Sequence, residues 1–140
     1  MNIKIFDEIF DNLKKYIEEN DIYSATITKK SLKQSNKFPL IVITEENNVN
    51  FARDTHFNDT ISKGYYEINI YTQNQKIGDL MRYDMEIARE YSELIDNYMS
   101  RKLKAIRTHC SPTPNLDNSI YRITMRYEML VSDYRGRQLI

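Results

Sequence analysis

Residues 79–100 read DLMRYDMEIAREYSELIDNYMS, with no glycine or proline inside the run. Leu80, Tyr83, Ile87, Tyr91, Leu94, Ile95 and Tyr98 return mostly at steps of three and four. That spacing is the apolar stripe of an amphipathic helix. Asp79 follows Gly78 and stands where an N-cap belongs, its carboxylate accepting the free amide protons of the first turn. Arg101, Lys102 and Lys104 come after the last turn, where positive charge suits the helix dipole. The segments on either side read as strands, so this helix is expected to cover one face of a sheet. The predicted class is α+β.

On the C-terminal side, residues 103–111 (LKAIRTHCS) are a strand candidate with Ile106 and Cys110 on one side and Arg107 and His109 on the other. Residues 112–119 (PTPNLDNS) hold two prolines with Asn and Asp, the composition of a loop. Residues 120–131 (IYRITMRYEMLV) alternate strictly. Tyr121, Ile123, Met125, Tyr127, Met129 and Val131 form one face; Arg122, Thr124, Arg126 and Glu128 form the other. This is an antiparallel strand with one face wet or at an interface. The last residues, SDYRGRQLI, carry no packing pattern and read as an extended tail.

On the N-terminal side, residues 65–72 (YYEINIYT) alternate, with Tyr66, Ile68 and Ile70 facing one way and Tyr65, Glu67, Asn69 and Tyr71 the other. Residues 73–78 are read as a turn into the central helix. Residues 46–63 (ENNVNFARDTHFNDTISK) show no clean periodicity and are long for a plain connection; part of them can continue as a β-arm. Residues 38–45 (FPLIVITE) are apolar on both faces from Leu40 to Ile43, as in a central strand buried on each side. Pro39 then lies at its start, where a missing amide costs little. Residues 24–29 are a short strand candidate. Residues 3–19 are a first helix, with Ile5, Ile9, Leu13 and Ile17 four apart and Phe6, Phe10 and Tyr16 widening the stripe. The order is α-β-β-β-α-β-β. The expected architecture is one antiparallel or mixed sheet packed against the central and N-terminal helices, in a single domain over residues 1–131 with a tail at 132–140.

The totals narrow the function. A chain of 140 residues is one domain by size. Acids and bases number 20 each, so no global charge draws it to nucleic acid or a membrane. The single Cys110 excludes an intramolecular disulfide framework and fits a reducing cytoplasm. The first residues, MNIKIFDEIFDNLKKY, are broken by charge every few positions, unlike a signal peptide or a membrane span. Eleven tyrosines and no tryptophan suit half-buried strands and protein interfaces.

Candidate chemistry is sparse. The glycines stand alone at Gly64, Gly78 and Gly136, so no phosphate loop is present. His56 and His109 have no second ligand at metal spacing. His109 and Cys110 are neighbours on a strand and point to opposite faces, which rules out a Cys–His dyad there; a buried structural thiol beside a surface imidazole is expected. Asp84 with Glu86, and Glu90 with Glu93, lie on an exposed helix flank without the pocket that acid–base work needs. Arg122 and Arg126 make a basic strip that either meets an acidic partner or nucleic acid, or pairs across strands with Glu67 or Glu128. Arg135 and Arg137 form a small basic motif that either orders against a partner or frays. No catalytic, cofactor or metal residue is assigned.

The succession of an N-terminal helix, a PLIVI strand ending in acids, a long polar loop, YYEINIYTQ, one long helix and a late IYRITMRYEMLV strand with Tyr-Arg after it resembles the tail terminator proteins of long-tailed bacteriophages and phage-like tail particles. These are also called tail completion or head–tail joining proteins. The similarity covers roughly residues 3–135 and lies in order and pattern, without a diagnostic motif. It implies a small α/β fold in a ring, usually a homo-hexamer, that caps the head-proximal end of the tail tube. The ring stops tube polymerisation and presents a surface to the head connector or neck protein. It implies no catalysis, cofactor, membrane or specific nucleic-acid binding, and a place in the virion tail after assembly in the host bacterial cytoplasm. Ring closure needs two unlike patches per subunit. The residues expected at subunit or tube contacts are Arg53, His56, Phe57, Arg122, Arg126, Arg135 and Arg137. The rival readings are another neck component such as a head-completion or stopper protein, a nucleic-acid-binding α/β domain, and a small enzyme.

Overall fold

A computed structural model of the protein describes residues 5–29, 37–53, 59–114, 117, 119–132 and 138–139. The first helix, α1 (Ile5–Asn20), buries Ile5, Ile9, Phe10, Leu13 and Ile17, the residues that its four-residue spacing places on one stripe. Asn20 ends it, its side-chain amide donating to the Tyr16 carbonyl. Asp21 then organises the turn: its carboxylate accepts the amides of Tyr23 and Ala25 at 2.8 and 2.7 Å, an Asx-type turn, and Ser24 takes a left-handed φ of 58°.

Strand β1 (Thr26–Thr28) runs parallel to β2 (Leu40–Arg53). β2 pairs antiparallel with β3 (Asp59–Thr72). Leu40, Ile41, Val42 and Ile43 are all buried, so the first residues of this strand are covered on both faces as their composition requires. Both β2 and β3 have 14 residues. Most of the stretch at 46–63 is therefore a long β-arm rather than a loop, with irregular register at Glu45/Asn47 and beyond. The strand β7 (Tyr121–Ser132) lies between β3 and β6 (Ile106–Pro112). The main sheet runs β1-β2-β3-β7-β6, and the two-residue β8 (Gln138–Leu139) pairs with Val131 and Ser132. Thus the expected tail at 132–140 contributes the end of β7 and this short strand. The sheet is mixed, and the fold is α+β.

The central helix differs from its sequence reading at its start. Residues 75–82 form a hairpin, β4 (Gln75–Ile77) with β5 (Leu80–Arg82). Gly78 has a φ of +60° at its tip, the left-handed conformation that opens a two-residue hairpin turn and that glycine adopts without penalty. Asp79 is therefore a turn residue, and no helix begins there. The helix α2 (Asp84–Asp96) starts after Tyr83, which makes no side-chain cap. Leu80 and Tyr83 belong to no buried stripe: they are 62% and 55% exposed. From Ile87 onward the stripe holds, with Ile87, Ala88, Tyr91 and Ile95 buried. The helix then widens into a π-helical turn, Asn97–Lys102, closed by the Leu103 amide on the Tyr98 carbonyl. Lys104 takes a left-handed φ of 60°, which turns the chain into β6.

Both helices lie on one face of the sheet. Ile41 and Ile43 of β2, Tyr66, Ile68 and Ile70 of β3, and Ile123, Met125, Tyr127, Met129 and Val131 of β7 meet them in one core. Tyr16 on α1 packs on Tyr98 of the π-helical turn, and Tyr23, just after α1, on Tyr91 of α2, with ring centroids 5.2 and 5.8 Å apart, so the end of α1 and the turn after it lie against α2 and its π-helical extension.

Strand β6 also corrects an expectation. Arg107 pairs with Tyr127 and His109 with Arg126, which leaves Thr108 as an extra residue. Such a bulge reverses the side on which all later residues point. Arg107 and Cys110 therefore share the helix side, opposite Tyr127 and Met125, while Ile106 and His109 share the far side, opposite Glu128 and Arg126. Cys110 is exposed; it is no buried structural thiol, and it lies on β6, the edge strand of the sheet.

Candidate functional site

The face of the sheet turned away from the helices carries the polar half of every alternating strand. On β3 this half is Lys63, Tyr65, Glu67, Asn69 and Tyr71; on β7 it is Arg122, Thr124, Arg126 and Glu128. Register places Glu67 beside Arg126, Asn69 beside Thr124 and Tyr71 beside Arg122. These neighbours bond. Arg126 Nε donates to Glu67 Oε2 at 2.9 Å. Asn69 Oδ1 accepts from Arg122 Nε and Nη2 at 3.1 and 3.0 Å and from Thr124 Oγ1 at 2.7 Å. Asn69 Nδ2 donates in turn to Glu67 Oε1 at 2.8 Å. Arg122 also lies over the Tyr71 ring, 5.2 Å from its centroid, and Lys63 pairs with Glu128 at 3.3 Å. Partial burial pushes the Glu67 carboxyl up, but the hydrogen bonds from Asn69 and Arg126 outweigh it and hold the group below its ordinary value.

Arg122 and Arg126 are thus brought together on one face, and each is engaged within the chain. Their guanidinium groups belong to cross-strand pairs and make no bare cationic strip for phosphates. Arg53 ends β2 in register with Asp59. His56, Phe57, Arg135 and Arg137 lie outside the described residues.

Beside this ladder is a cleft of about 380 Å³ lined by Glu46, Asn47, Val49, Tyr65, Thr108 and Arg126, among others. It opens where β2 bulges near Glu46 and β6 bulges at Thr108. Two irregular strands flank two regular ones, so the cleft follows from the bulges rather than from any motif. Among the described residues, no group of three or more His, Cys, Asp or Glu side chains could hold a metal ion. The Glu90 carboxylate of α2 is also committed. Glu90 accepts from the Tyr23 hydroxyl at 2.5 Å and pairs with Arg82, whose Nε donates to the same hydroxyl at 3.1 Å. This cluster locks the hairpin and the turn after α1 onto the helix. No described helix is long and apolar enough to cross a membrane.

One group at the other face is under strain of a different kind. Glu45 stands opposite Tyr66 in the β2–β3 register, and both Glu45 Oε2 and the Tyr66 hydroxyl are buried without a hydrogen-bond partner. Burial, and then the negative charge of Asp7, push the Glu45 carboxyl above its ordinary value of 4.5. A raised folded-state value means that the stabilising proton is fully bound below pH 4.5 and is lost as pH rises through the folded value. Glu45→Gln is therefore expected to raise the urea midpoint at pH 7. At pH 4, where the wild-type carboxyl is already neutral when folded, the gain should shrink. An equal gain at both values would contradict the assignment.

Sequence reasoning did not find the hairpin at 75–82, which with the residues after it bears most of the exposed large apolar side chains among the described residues: Ile77, Leu80 and Met81, followed by Tyr83 and Met85, all 42–62% exposed. The available signal was Gly78-Asp79 as a two-residue turn between QKI and LMR. The chain matches no protein-family model and no curated protein sequence.

Proposed function

We propose that this chain is a structural virion protein of the tail-terminator kind. In this reading it forms a ring, a homo-hexamer, that caps the head-proximal end of a tail tube, stops its growth and joins it to the head connector. The chain acts by contact and not by catalysis, in the tail of a virion or phage-like particle. The observation that carries the reading is the long β2–β3 arm. β1 pairs with Leu40, Ile41 and Val42 alone, so among the described residues β2 offers ten or so further positions with no strand on its outer edge. A free edge of that length is a template for another protein. The α+β order around one central helix and the exposed apolar hairpin support the same reading, since surface patches of that sort mark protein contacts.

The test is tube growth. Purified tail tube subunits polymerised with this protein are expected to give short tubes of narrow length distribution, each bearing a ring at one end in electron micrographs. Tubes of unaltered length with bare ends would sink the reading. A binding assay against the connector would then decide for another neck component.

A further inference from the structure

The hairpin β4–β5 is built unlike the rest of the surface. In its register Ile77 faces Leu80, Lys76 faces Met81 and Gln75 faces Arg82. Alternation puts Ile77 and Leu80 on one side of the ribbon and Met81 beside Lys76 on the other, so apolar side chains stand on both sides of it. Its base is fixed: Gln75 Nε2 donates to the Phe38 carbonyl at 2.8 Å, and Arg82 is held by Tyr23 and Glu90. A wedge fixed at its base with apolar side chains on both sides is satisfied by a cleft and not by a flat surface. The chain carries such a cleft on the far face of the sheet, with Val49 and the Tyr65 ring as its apolar part and the exposed acid Glu46 beside them. Lys76 on the wedge complements that acid. The hairpin follows Thr72, seven residues along β3 from Tyr65, or about 20 Å at the rise of a strand. A hairpin anchored at that distance does not reach its own cleft.

We propose that the β4–β5 hairpin of one copy inserts into the Val49–Tyr65 cleft of the next copy. Wedge and cleft are different patches of the same subunit, so the contact is heterologous and propagates until the rotation closes a ring. The inference rests on the ring-forming reading above and names the surfaces that make it.

Two variants test it, Leu80→Asp on the wedge and Val49→Asp in the cleft, with far-ultraviolet circular dichroism confirming that both are folded. By sedimentation, the wild type is expected to grow in mass with concentration and each variant to stay monomeric. Each variant keeps the half that the other lacks, so an equimolar mixture is expected to give a species of two chains and nothing larger. A second pair leaves the apolar surface intact: Lys76→Glu and Glu46→Lys should each weaken association, and the doubly reversed chain should recover it. A variant that retains wild-type mass, a mixture that stays monomeric, or a wild type that is monomeric at every concentration would overturn the proposal. Tube capping is scored separately. Capping that survives Leu80→Asp removes this contact alone, whereas failure of the wild type to cap removes the ring reading itself.

Discussion

Gly64→Val should lower the unfolding free energy by about 3 kcal/mol, the upper range for forcing volume into a packed core. The reason is local. Gly64 is buried in β3 and takes no left-handed φ, so its role is space and not conformation. A Cβ there would fall 2.7 Å from Tyr66 Cζ and 2.9 Å from Cε2, and closer still to the hydroxyl. Tyr66 leans along its own strand over the bare backbone of Gly64. Its ring is held there by Phe6 of α1, which stacks on it at 6.1 Å with 9° between planes. The ring is 1% exposed and has nowhere to swing. Ordinarily a glycine inside a strand weakens it, and replacing it gains about 0.5–1 kcal/mol; here the sign is reversed. Urea titration checks the value, and the background decides the cause. In a Tyr66→Leu chain, which frees the space above position 64, Gly64→Val should cost much less than in the wild type. Equal costs in the two backgrounds would show that the ring is not the obstacle.

The same contact shows why some of the fold could be read from the residues and some could not. Strict alternation placed Tyr66 on one face with Ile68 and Ile70, and the four-residue spacing of α1 placed Phe6 near its stripe. Neither pattern says that one ring fills the place of a missing side chain two positions away. β7 was legible end to end because both of its faces are used, one by the core and one by the Arg–Glu–Asn ladder. The hairpin was not, because Leu80 and Tyr83 happen to fall in phase with Ile87 and Tyr91. A helical period cannot distinguish residues that are buried from residues that merely continue the count. Only the turn chemistry of Gly78 could have done so. β6 was read as a strand, but a bulge at Thr108 leaves no mark in composition, and it reversed the side of Cys110. The candidate site suffers most from this. Its cleft exists because two strands bulge, and its wedge exists because apolar side chains are left in water; both are departures from the rules by which a sequence is read.

Asn69→Leu is expected to cost about 3 kcal/mol, the loss of hydrogen bonds to a charged group together with the desolvation of partners left unpaired. Asn69 is 6% exposed, and its carboxamide is the joint of the far face, accepting three hydrogen bonds and donating one. Leucine has nearly the same size, so the cavity term is small and the loss is polar. Thr124 keeps a partner, the Thr113 hydroxyl at 2.5 Å. Arg122 loses both of its hydrogen bonds to Asn69, and Glu67 loses the Asn69 amide while keeping Arg126. The pH dependence separates this account from simple misfit. Glu67 is held below its ordinary 4.5 first of all by Asn69 and then by Arg126, against the opposing effect of burial. A depressed carboxyl contributes stability that is present above pH 4.5 and is lost as pH falls through the folded-state value. Removing Asn69 removes part of that contribution, so the penalty measured by urea at pH 7 should exceed the penalty at pH 3. Asn69→Asp makes the argument sharper. A carboxylate at position 69 still accepts from Arg122 and Thr124, but it cannot donate to Glu67 and repels it. This variant should therefore fall between wild type and Asn69→Leu at pH 7. A misfit of shape would instead give the same cost at every pH and would leave the aspartate variant, closest in form to asparagine, indistinguishable from wild type.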